Sequence, residues 1–98
     1  MNKVFLQLWE ESERGWGTRP DGCSLHIDNI ELDRYVDNIY SDRGDVIPDE
    51  YDRTIGGSIE AFVDDELFNK VIVSKNIRIS QNSFNNLILM NELIIKNP

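Results

Sequence analysis

The chain has 98 residues, 40% of them apolar and 29% charged, and 18 acidic against 10 basic side chains give a net charge of -8. Length and composition predict a single globular domain over residues 1–98 and exclude a disordered chain. The acidic balance argues against DNA, RNA or an anionic membrane as partner, since each calls for a basic face.

The longest apolar run, Leu87 to Met90, is far too short to span a membrane. Gln7 and Glu10 interrupt the first apolar stretch, so no signal peptide is expected. Cys23 is the single cysteine. It excludes an internal disulfide or a thiolate metal cluster and suits a reducing cytoplasm.

Lys3 to Trp9 alternates like a strand, with Val4, Leu6 and Leu8 on one side and Phe5, Gln7 and Trp9 on the other. Glu10 to Gly22 reads as a polar loop around Gly15-Trp16-Gly17-Thr18-Arg19-Pro20-Asp21-Gly22. It is longer than a hairpin turn requires, and such loops often carry function. Cys23 to Ile27 is a second strand, expected to pair with the first as an antiparallel hairpin. Asp28 to Tyr40 has the spacing of an amphipathic helix, with Leu32, Tyr35, Val36, Ile39 and Tyr40 on one face. Asp28 and Glu31 resemble a capping box, and Arg43-Gly44 is the expected end.

Asp45 to Gly57 reads as a second irregular segment holding Tyr51-Asp52-Arg53-Thr54, and Ser58 to Val63 as a third strand. Asp64 opens a short helix whose buried face is Leu67, Phe68, Val71 and Ile72, stapled by Val63 and Phe68. Asn76 to Ser80 is a fourth strand, and Ser83 is expected to cap a helix over Phe84 to Ile95. The apolar surface of that last segment is wider than one core stripe, so part of it is expected to meet another subunit. The fold class is α+β: an antiparallel sheet of about four strands packed with two to three helices, in the order ββαβαβα.

Few residues suggest chemistry. Cys23 and His26, three apart on a strand, face opposite ways and cannot pair as nucleophile and base. Cys23 reads as a core residue and His26 as a hydrogen-bonding group on the polar face. Asp42, Asp45, Asp49, Glu50 and Asp52 lack the spacing of a calcium loop and read as a solvated acidic loop. No phosphate-binding glycine motif is present. Trp16 and Arg19 in one loop, and Tyr51 and Arg53 in the other, could stack on bases and pair with phosphates. The plainer reading has Trp16 covering the edge of the core and the arginines balancing nearby acids. Arg78 and Asn85-Asn86 are further candidates of the same kind.

Four phrases together resemble small phage and prophage proteins: Val4–Glu11, Arg19–His26, Pro48–Arg53 and Val63–Phe68. The family they are similar to is the Thoeris anti-defense sponge of the first type. That resemblance implies a non-enzymatic protein in the cytoplasm of an infected bacterial host. It would sequester glycocyclic ADP-ribose signals, with cyclic oligonucleotides as a second ligand, and would not cleave them. It implies a homo-oligomer, a dimer or a trimer of dimers, with pockets at subunit boundaries and no cofactor or metal. It carries a pocket role onto Arg53, Thr54, Phe84 and Asn85, beside Trp16, Arg19 and Arg78. Phe62, Phe68 and Asn76 compete for the Phe and Asn positions, and Thr54 departs from the Pro common in the family. Two other readings stand beside it: an acidic inhibitor that binds and blocks a host defense protein, and a hydrolase built on the scattered carboxylates.

Overall fold

The computed structural model describes residues 1–42 and 49–96. The expected end of the first helix at Arg43-Gly44 and the residues up to Pro48 lie outside that range. Among the described residues β1 (Asn2–Glu13) and β2 (Gly17–His26) form a hairpin, and β3 (Glu50–Val63) pairs with the other side of β1. β4 (Asn76–Ile79) extends the sheet beyond β2, and β5 (Leu93–Ile95) extends it beyond β3. The order is β4-β2-β1-β3-β5, and every pairing is antiparallel. The α+β class stands, with one strand more than the alternation suggested.

The two sheet faces have different chemistry. One gathers Val4, Leu6, Cys23, Leu25, Ala61, Val63, Ile79 and Leu93 into an apolar core. It is roofed by Leu67, Phe68 and Val71 of α2 (Asp65–Ser74) and by Phe84 and Leu87 of α3 (Gln81–Leu89). The other carries Gln7, Trp9, Ser24 and His26, all buried, and is covered by α1 (Asn29–Asp42). The caps follow the sequence. Asp28 accepts the Glu31 N–H at 2.8 Å, and Asp64 accepts the Leu67 N–H at 2.9 Å.

Three expectations are corrected. Glu10–Gly22 is not a loop, because β1 and β2 run on as a ribbon to a tight turn closed by the Trp16 N–H on the Glu13 carbonyl at 3.0 Å. Residues 50–57 likewise belong to β3, paired with β1 as far as Glu13. Polar side chains are tolerated there because the ribbon lies beyond the apolar core and is solvated. The C-terminal segment is also not one helix. Ser80, rather than Ser83, caps α3 by accepting the Ser83 N–H at 3.2 Å. Asn91 then takes a left-handed φ of 56° and ends the helix. Its N–H donates to Ile88 and that of Glu92 to Leu87, the paired bonds of a Schellman stop, and the chain turns into β5.

Two irregularities set the registers. In β3, Gly56-Gly57-Ser58 bulge out between the pairs Leu6–Ile59 and Leu8–Ile55. The buried Gln7 amide donates to the carbonyls of Leu8, Ile55 and Gly56 there, at 3.1 to 3.3 Å. In β2 the register shifts by one residue between Cys23 and Pro20. Gly22 sits in that bulge at φ 76°, and a Cβ on it would stand 2.0 Å from the Ile79 carbonyl oxygen.

Gly22→Ala is therefore expected to cost about 2–4 kcal/mol, the sum of a left-handed backbone and an overpacked contact. Gly15 is also left-handed, but a Cβ there meets nothing within 4 Å. Gly15→Ala should cost only about 1 kcal/mol. Urea unfolding of the two variants checks the difference.

Candidate functional site

Beneath α1 the polar residues form a single chain of hydrogen bonds. The Trp9 indole N–H donates to Ser24 Oγ at 2.8 Å. Ser24 Oγ lies 2.7 Å from His26 Nε2, and His26 Nδ1 lies 2.6 Å from Asn76 Oδ1. The Asn76 amide donates to Glu31 of α1 at 3.1 Å. That last bond leaves Asn76 Oδ1 as an acceptor, so the His26 proton sits on Nδ1, and Nε2 accepts the Ser24 O–H. Burial pushes the His26 pKa down, against the weaker upward pull of Asn76 and Glu31. A Ser–His–Asn relay resembles nucleophilic machinery, but Ser24 and His26 are 0% exposed, which denies a substrate any approach. Cys23 faces the opposite core, as its parity predicts, and burial raises its thiol to about 12.

Arg78 borders this chain. Its guanidinium stands 4.8 Å over the Trp9 ring. Its Nη2 donates to the Asp21 carbonyl at 3.0 Å and to the carboxylates of Asp21 and Asp52 at 3.2 and 3.0 Å. Burial, helped by a hydrogen bond with Asp21, raises the Asp52 pKa to about 6 despite Arg78. Carboxylate oxygens of Glu11, Asp21 and Asp52 approach within 4.8 Å of one another, as do those of Glu11, Glu13 and Glu50. Arg78 and Arg19 sit among them as counterions.

The residues singled out in the sequence are dispersed. Arg19 pairs with Glu11 and Glu13 at 3.0 and 3.3 Å on the α1 face of the ribbon. Arg53 pairs with Glu10, its cross-strand partner, on the opposite face. The arginines therefore balance neighbouring acids, as the plainer reading had it. Trp16 does not cover the core: it is 86% exposed at the tip of the ribbon. The Thr54 N–H donates to the Tyr40 hydroxyl at 2.9 Å, and Thr54 lines a cleft of about 430 Å³ between α1 and the β3 bulge. Phe84 points into the apolar core, and Asn85 accepts from Gln81 on the surface of α3. One chain does not bring these seven together.

A larger cleft, about 630 Å³, runs between α2 and α3 along β4. Leu67, Ile77, Ile79, Leu87 and Met90 supply apolar lining, and Lys70, Arg78, Ser80, Ser83, Asn86 and Glu92 supply polar groups. Of the sequence-stated candidates only Arg78 and Asn86 border it. Lys70, Ser80 and Ser83 were missed as site residues because the cleft joins three elements; the helix cap expected at Ser83 was their one signal. An apolar slot with a few cations, hydroxyls and amides is the common form of a small-molecule site.

His26 and Asp52 oppose one another in acid. Because His26 is held neutral, stability falls as pH drops below about 6.5, where the unfolded histidine takes up a proton. Asp52 acts the other way: between about pH 6 and pH 4 the folded chain binds a proton that the unfolded chain does not. Asp52→Asn should therefore lose stability more steeply than the parent from pH 6 to pH 4, and His26→Gln less steeply from pH 7 to pH 5. Urea midpoints across that range test both slopes. Searches with this chain match no family model, no curated protein and no solved structure.

Proposed function

We propose that the protein binds an anionic nucleotide signal of the cyclic ADP-ribose class and sequesters it uncleaved, with cyclic oligonucleotides as a second cargo. The observation that carries this reading is the cleft between α2 and α3. Its volume, about 630 Å³, suits a nucleotide-sized ligand. Its apolar lining offers a bed for a base, while Lys70, Ser80, Ser83 and Asn86 offer donors to phosphates and ribose. The resemblance of the four sequence phrases to the Thoeris anti-defense sponges supplies the ligand class and the setting, the cytoplasm of an infected bacterium.

The proposal includes self-association, as a dimer or a trimer of dimers. Ile88, Leu89 and Met90 at the end of α3 and Ile94 of β5 remain exposed, and Leu89 is 78% exposed. Apolar side chains clustered in sequence on an acidic chain favour contact between copies over contact with solvent.

The test incubates purified protein with cyclic ADP-ribose isomers and cyclic di- and trinucleotides, removes the unbound fraction, and heats the protein. Release of an intact cyclic ADP-ribose isomer is the expected result. A converted product would make the protein an enzyme, and an empty protein would leave a blocked host protein as the reading. Lys70→Glu is expected to weaken binding about tenfold or more, as loss of a charge-assisted contact requires. Arg53→Ala is expected to leave binding within about twofold; a strong loss would move the site to the ribbon.

A further inference from the structure

The turn between β1 and β2 holds a side chain that the fold does not use. Trp16 is 86% exposed. The turn needs glycine at 15 and 17, where φ is 83° and 86°, but its closing bond uses only the Trp16 backbone. The tip is also fastened from the side, where the Arg14 N–H donates to the Asp49 carbonyl at 2.8 Å. The indole thus stands on a backbone held at two points, away from any core. Exposed tryptophan on a fixed backbone is the composition of an interface anchor.

Beside the indole lies a recess of about 390 Å³, lined by Glu13, Arg14, Trp16, Asp49 and Glu50. Arg14 lies 3.7 Å from Asp49, and Arg19 pairs with Glu13 from outside the lining. The acidic character continues along the ribbon, since Glu13 and Glu50 adjoin Glu11, and Glu11 adjoins Asp21 and Asp52. An anion entering here would meet three carboxylates, and an apolar group would strip them of water. An organic cation gains on both counts, from the ring quadrupole and from the carboxylates.

We propose that this recess receives an arginine or lysine side chain from the surface of a basic partner protein. Trp16 is the wall on which the cation stacks, and Glu13 and Glu50 are its counterions. Residues 14 to 20 are all exposed, so the tip can enter a partner's surface without rearrangement of the core. The recess shares no lining residue with the cleft between α2 and α3, and it stands independently of the nucleotide reading.

Proton–nitrogen NMR of the full chain tests it, because the two indole N–H groups report separately. Trp9, bonded to Ser24 in the interior, is the internal control for folding. Titration with an acetylated tetra-arginine amide should shift the Trp16 signal to saturation, leave Trp9 in place, and weaken as salt is raised. In fluorescence anisotropy with the labelled peptide, Trp16→Ala should weaken binding about tenfold. The pair Glu13→Gln and Glu50→Gln should weaken it to a similar degree, with the Trp9 signal unchanged. A Trp16 signal that does not move, or a Trp16→Ala protein that binds like the parent, overturns the proposal. Free arginine amide binding as tightly as the peptide also overturns it, since the recess would then serve a small cation.

Discussion

The buried chain from Trp9 through Ser24, His26 and Asn76 to Glu31 is the constraint on which the α1 side of the molecule depends. It joins β1, β2, β4 and α1 in one line of bonds. Each donor defines the next acceptor, so the chain admits one histidine tautomer and one orientation of the Asn76 amide. In a low-dielectric interior such a line is secure only when complete, because one missing partner strands the rest. Among the described residues no buried side-chain nitrogen or oxygen lacks a hydrogen bond. That completeness lets the sheet bury Gln7, Ser24 and His26 on a face where a small protein would more often place aliphatic side chains.

The other face secures the molecule by a different means. Its core is aliphatic and continuous from Val4 and Leu25 to Val71 and Leu93, and it needs no directional bonds. The cleft between α2 and α3 opens along the margin of this core, where β4 ends the sheet. Its apolar lining is the rim of the same packing, while Ser80 and Ser83 stand where the core meets water. The acidic ribbon lies on the far side of the Gly22 bulge. Its charges are organised around Arg19, Arg53 and Arg78, which hold carboxylates close together without leaving them unbalanced.

Local pattern made part of this architecture legible. Strict alternation from Val4 to Trp9 and from Cys23 to Ile27 gave the hairpin, and caps at Asp28 and Asp64 gave α1 and α2. The ribbon was not legible, because polar residues paired by backbone bonds and cross-strand ion pairs carry no hydrophobic period. Nor was β5, since Leu93–Ile95 continues the apolar run of α3 and only the left-handed Asn91 separates them. The candidate site was legible at Arg78 and Asn86 alone. Lys70 and Ser83 are ordinary surface residues until the packing of two helices against β4 gives them a common space.

The two bulges differ in arithmetic, with a consequence for how this sequence can vary. The β3 bulge adds two residues relative to β1, so Ile55 and Ile59 still face the same side. The β2 bulge adds one, which reverses the parity of everything between Gly22 and the turn. A two-residue deletion at Gly56-Gly57 would leave every side chain of the ribbon on its present face. A one-residue deletion at Gly22 would likewise leave a regular ladder in which Glu10 still faces Pro20 and Glu11 still faces Arg19. Length variants among descendants of this chain are accordingly expected to lose two residues in β3 and one in β2, the numbers that keep every outer pair in register.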